Sequence, residues 1–131
     1  MIWVAPNAPR WLYEHGVPEL KMTPTINPKR QLRDWTFQYY LDEDYIRYYY
    51  RLIREFGKYV RNLPVDLRDR ILYVQSAEGS TGDGYCYKGD PLDDRYKISR
   101  DQWSQFRIRA WEVFKEALSD GSGRMVKPLL V

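Results

Sequence analysis

Residues 70–83, RILYVQSAEGSTGD, constrain this chain more than any other stretch. They open on the apolar run Ile71-Leu72-Tyr73-Val74 and pass into Gln75-Ser76-Ala77-Glu78-Gly79-Ser80-Thr81-Gly82-Asp83, which is small and polar, with one carboxylate near its head. A run that is apolar throughout, rather than alternating, fits a strand over residues 70–76 covered on both faces. A rigid strand ending in a Gly/Ser/Thr loop holds its last side chain where a ligand has room. In open α/β sheets and in (β/α)8 barrels, ligands bind beyond the carboxyl ends of the strands. Glu78 has that address. A solvated loop carboxylate beside a turn would have the same local sequence.

Two long helical patterns flank the strand. Asp42-Glu43-Asp44 places three acids at the positive end of a helix dipole. Ile46, Tyr49, Tyr50, Ile53, Phe56 and Val60 then recur at spacings of three and four and mark one face. Arg47, Arg51, Arg54, Lys58 and Arg61 fall mainly on the other faces and read as a solvated surface rather than a nucleic-acid stripe. Pro64 stops the helix. Ser99-Arg100-Asp101-Gln102 is a capping box for the second helix. Its inner face is Trp103, Phe106, Ala110, Val113, Phe114 and Ala117, with Trp111 on the flank and Gly121 as C-cap. Residues 1–5 and 126–131 are apolar and read as outer strands, with Pro128 near a strand start or at an edge. Residues 7–24 read as an irregular loop punctuated by proline and glycine. Residues 25–41 are poorly periodic, with Trp35, Phe37, Tyr39 and Tyr40 as anchors and room for one turn of helix. Residues 77–97 form a second loop, longer than most strand-to-helix connections.

The totals narrow the function classes. A length of 131 residues allows one domain with a real core. No apolar run approaches the roughly 20 residues of a membrane helix, and no signal-peptide pattern is present. The single cysteine, Cys86, rules out an internal disulfide and a cysteine-rich metal site, and the single histidine, His15, is distant from it in sequence. A net charge of +3 is spread among interspersed acids and bases, which speaks against nucleic acid. Gly79, Gly82, Gly84 and Gly89 follow neither phosphate-loop pattern, and the aspartates of that loop lack the calcium-loop spacing. No cofactor and no metal is expected. Aromatic residues make up 16% of the chain. Many belong in a core, while those placed in loops, Trp11, Tyr13, Tyr85 and Tyr87, are candidate platforms for sugar rings or bases.

The order strand, loop, helix, strand, loop, helix, strand gives two consecutive βαβ units and a parallel sheet with right-handed crossovers. Both long loops then lie at the C-terminal face, which sets Trp11 to His15 beside Glu78 to Lys88. Three strands and two helices are less than half of a (β/α)8 barrel, which takes about 250 residues.

APRWLYEHGVPELK, DEDYIRYYYRLIREFGKYV and RILYVQSAEGSTGD followed by YKG together resemble the middle of a glycoside hydrolase barrel of the large retaining clan. The likeness is to its β-galactosidase-like and polysaccharide-cleaving members. The resemblance implies an α/β fold, a partial (β/α)8 barrel with parallel β-α-β-α-β order, in which residues 1–131 are one partial domain corresponding to strands three to five. It implies that Glu78 is the general acid/base and that Trp11 and Tyr13 line a sugar subsite. Glu14, His15, Gln75, Asp83, Tyr87 and Lys88 are candidates for binding sugar hydroxyls. Ala77 stands where the clan usually has an Asn that contacts the sugar 2-hydroxyl, so that contact is either missing or supplied from elsewhere. The clan's nucleophile lies on the seventh strand, so the catalytic machinery of this chain alone is expected to be incomplete. The expected partners are a carbohydrate and the remainder of the barrel, or a second copy through open sheet edges. A non-catalytic carbohydrate- or partner-binding module using the same aromatic loops is the competing expectation.

Overall fold

A computed structural model describes the chain except residues 5–7, 24, 28–29, 34–35 and 80–83; the side chains of residues 3–4, 25–27 and 30–33 also stand outside the description. The architecture is mixed α/β. Its centre is a three-stranded parallel sheet of β1 (Ile2–Val4), β6 (Val74–Ser76) and β7 (Leu129–Leu130), with β6 in the middle. Ile2 and Leu129 flank Val74, and Trp3 and Leu130 flank Gln75. Pro128 sits just before β7 and accepts the Val74 amide at 2.9 Å, a position where its missing N–H costs nothing.

The helices are α2 (Glu43–Asn62) and α4 (Arg100–Leu118), joined by the short α1 (Arg10–Glu14) and α3 (Val65–Asp69). Asp42 caps α2 by accepting the Tyr45 amide, and Ser99 and Gln102 close the capping box of α4. α2 and α4 pack on each other, so both crossovers bring their helices to one side of the sheet. Val74 and Ser76 point to that side and are buried, while Gln75 on the opposite pleat is half-buried. The core joins Ile53 and Val60 of α2 to Trp103, Phe106, Ala110, Val113, Phe114 and Leu118 of α4. Each Val, Leu, Ile or Phe among them contributes roughly 1.5–3 kcal/mol by leaving water.

Several expectations need correction. The central strand is three residues long rather than seven. α3 occupies the chain after Pro64, and Leu72 turns out to solvent at 72% exposure, so the apolar run is an approach to the sheet and not a doubly covered strand. Residues 7–24 are not a plain loop. Pro9 precedes α1, where its fixed φ suits a helix start, and Gly16 follows it at φ +100°, a left-handed conformation that closes the helix. Residues 25–41 contain no helix among the described residues. β2 (Glu19–Lys21) pairs antiparallel with β5 (Thr36–Gln38), and β3 (Thr25–Asn27) with β4 (Arg30–Arg33). The α4 C-cap is Ser119 in extended conformation, not Gly121. Tyr45 and Gly57, absent from the expected inner face of α2, are buried with it.

Candidate functional site

β6 carries the chain to Ala77 and Glu78 at its carboxyl end, both buried. Glu78 is only 2% exposed. It faces the helices. Arg107 of α4 brings its Nε to 3.7 Å from Glu78 Oε2, and the same guanidinium lies over the Trp111 ring at 4.9 Å. Arg107 and Trp111 are one turn apart on the flank of α4, which lets both reach the strand end. Tyr49 of α2 is near enough to feel the Glu78 charge, and its hydroxyl has no hydrogen-bond partner among the described residues. Glu78 Oε1, Arg107 Nε and Trp111 Nε1 are likewise buried without a hydrogen-bond partner there.

Burial raises the Glu78 pKa above the usual carboxylate value, because leaving water disfavours the charged form. The Ser76 hydroxyl, the backbone, the Trp111 indole N–H and the Arg107 charge pull the other way, and burial prevails. The Ser76 and Trp111 groups stand close enough to favour the charge without closing a hydrogen bond on Oε1. Tyr49 and Tyr45 are both raised, chiefly by burial, and the Glu78 charge adds to each. The arrangement therefore holds a carboxyl that keeps its proton longer than usual, with a cation at hand to meet its charge once the proton leaves.

The other sequence candidates are scattered. Trp11 is 44% exposed and packs edge-on against Tyr48 and His15. His15 is exposed at the end of α1, its Nδ1 2.7 Å from the Trp11 carbonyl oxygen. Glu14 is exposed and paired with Arg10 at 3.4 Å. Tyr13 is half-buried and its pKa is raised, first by burial and then by Glu19. Tyr87 is a core ring against Tyr40 and Phe37, its pKa raised mainly by burial. Gln75 lies on the middle strand, and Lys88 is half-buried in the loop that follows. Asp83 lies outside the described residues. Neither a hydrogen bond nor an ion pair joins Trp11, Tyr13, Glu14, His15, Gln75 or Tyr87 to Glu78.

The two expected loops do meet, but elsewhere. Thr23 donates its amide to Asp90 O at 2.8 Å, Leu92 donates to Lys21 O at 3.0 Å, and Met22 bridges Pro91. The contact therefore runs along β2 and not between Trp11 and Glu78. Sequence reasoning missed Arg107, Trp111 and Tyr49 as neighbours of Glu78. An Arg and a Trp four apart on a helix flank were the available signal.

Among the described residues no group of His, Cys, Asp and Glu is placed to hold a metal ion, and no helix is long and apolar enough to cross a membrane. Compared with protein-family models, curated proteins and solved structures, the chain matches none.

Proposed function

We propose that this chain is the part of a retaining glycoside hydrolase barrel that spans strands three to five, with Glu78 as its general acid/base. The observation that supports this reading is the state of Glu78: a buried carboxyl of raised pKa at the carboxyl end of the middle strand of a parallel sheet. A general acid must keep its proton near the working pH and give it to the leaving glycosidic oxygen, then recover it from water. Burial supplies the first property. Arg107 limits the rise and meets the charge in the half-reaction where Glu78 acts as base.

Retention needs a second carboxyl about 5–5.5 Å away as nucleophile. Among the described residues, the leading groups acting on the Glu78 charge are Ser76, the backbone, Trp111 and Arg107, and none of these is a carboxylate. On this reading the nucleophile comes from another part of the barrel, and the 131-residue chain turns over little or no substrate by itself.

Titration of the Glu78 side-chain carboxyl carbon by NMR, with and without xylotetraose or cellotetraose, tests the assignment. The expected result is a midpoint above the ordinary Glu range that moves when sugar is present. A midpoint that ignores every sugar makes Glu78 a structural carboxyl and leaves a non-catalytic binding module in place of the hydrolase.

A further inference from the structure

α2 carries the positive charge of this protein. Glu55 is the only acid in residues 47–61, whereas Arg47, Arg51, Arg54, Lys58 and Arg61 all fall there, so this stretch holds more than the whole net charge of +3. The five cations follow one another at spacings of four and three. On a helix that turns about 100° per residue they form one file about 80° wide and about 21 Å long. Packing of the opposite side of α2 on the core leaves Arg47, Arg51, Arg54 and Lys58 exposed. The two ends of the file are fixed: Asp44 meets Arg47 at 2.7 Å, and Arg61 is half-buried and donates to the Ala117 carbonyl. Like charges three or four apart destabilise a helix, and here every successive pair in the file is alike.

A second file runs beside the cations, between them and the core face. Tyr48, Leu52 and Tyr59 line it, with Glu55 among them. Leu52 is 50% and Tyr59 63% exposed. Trp11 of α1, 44% exposed, stands against Tyr48 with ring centroids 5.2 Å apart. The surface is therefore a basic ridge with an apolar margin of aliphatic and aromatic groups.

The ridge calls for a polyanion, and its margin decides which kind. Single-stranded nucleic acid is held in a basic groove by open aromatic faces. Here the cations sit on the outside of a helix, and the Tyr48 face is covered by the Arg47 guanidinium at 4.9 Å. Leu52 offers no stacking plane. A second copy would bring the same cations, and its acid runs are engaged: Asp42 caps α2, Asp44 holds Arg47, and Asp93 and Asp94 pair with Arg95 and Lys97. An anionic bilayer surface matches both files. Its headgroups meet the cations, and tryptophan, tyrosine and leucine settle at the boundary between headgroups and hydrocarbon.

We propose that α2 lays this face on an anionic lipid surface and holds the protein there reversibly. Such attachment makes no use of Glu78 and is independent of the chemistry proposed for it.

Flotation of the full chain with vesicles tests this. Vesicles of phosphatidylcholine with about 30% phosphatidylserine should carry the protein at low salt, and vesicles of phosphatidylcholine alone should not. Raising salt to about 1 M should release it, because exposed charges are then screened beyond about 3 Å. Each neutralised cation should weaken binding about five-fold, so Arg51→Gln/Lys58→Gln falls well below the parent. Arg51→Glu/Arg54→Glu/Lys58→Glu should abolish binding; the milder pair serves if this variant fails to fold. Glu55→Gln removes the one acid on this face and should tighten binding, and Glu78→Gln should leave it unchanged. The proposal is overturned if neutral and anionic vesicles behave alike, if the Arg51/Lys58 pair binds as the parent does, or if oligothymidylate binds the ridge and vesicles do not.

Discussion

Glu78 is easier to protonate in the fold than in the unfolded chain, and this has a signed consequence for stability. An unfolded Glu titrates near about 4.3. Below that pH both states hold the proton and Glu78 makes no difference. As pH rises past it, the unfolded chain releases its proton first and gains the advantage, so stability falls until the folded carboxyl ionises too. Glu78→Gln is therefore expected to be more stable than the parent in urea denaturation at pH 7 and equal to it near pH 3. A difference of the same size at both pH values would remove the burial explanation. Arg107→Met takes away the nearby cation and should move the Glu78 midpoint further up, read from its carboxyl carbon. The place of Glu78 was legible in the sequence because an apolar run handing over to small polar residues marks the end of a strand. What it faces was not legible. Arg107 and Trp111 belong to a helix far along the chain, and only packing decides which flank of that helix turns to the strand end.

The pairing of α2 with α4 depends on one residue without a side chain. Gly57 lies so near α4 that a methyl there would fall on the Ala117 carbonyl and stand 2.6 Å from the Ala117 Cβ. Arg61, one turn further on, donates to the same carbonyl. Gly57→Ala would gain about 1 kcal/mol of helix propensity. Overpacking against backbone that cannot yield typically costs about 1–3 kcal/mol. The expected outcome is a net loss of stability on thermal or urea denaturation. A stabilised Gly57→Ala would mean that the two helices separate freely. Ser99→Ala removes the cap of α4 and should cost about 1 kcal/mol in the same assay. The inner face of α4 was readable because its apolar spacing is regular and every residue expected there is buried. On α2 a crossing point built on glycine carries no hydrophobic signal. For β2 the signal existed. Glu19-Leu20-Lys21-Met22 alternates out and in, but the prolines on either side made it look like loop.

The parallel sheet is paired at its centre and open at both sides, since among the described residues β1 and β7 each have one neighbour. Its face away from the helices carries Leu130, 48% exposed. Unpaired strand edges are templates for further pairing, so the purified chain is expected to associate, as seen by sedimentation equilibrium. A monodisperse monomer with slowly exchanging amides at Ile2 to Val4 and at Leu129 and Leu130 would make the three-stranded sheet sufficient in itself. At this scale the parallel order of strands and helices was legible from alternating patterns, whereas the antiparallel pairs were hidden in short segments bounded by proline. A continuous cluster of rings joins Tyr40, just after β5, to α2 and α4. Tyr40 meets Trp103 at 5.1 Å and Tyr45 at 5.6 Å, and Trp103 stacks on Phe106 at 5.2 Å. Rings held this close at fixed angles exchange excitation energy and couple their transition dipoles. Light absorbed by the tyrosines should therefore emerge largely as Trp103 fluorescence, and the near-ultraviolet circular dichroism should be strong. Both signals should fade together when the packing loosens while helices persist, so the protein carries its own optical gauge of core order.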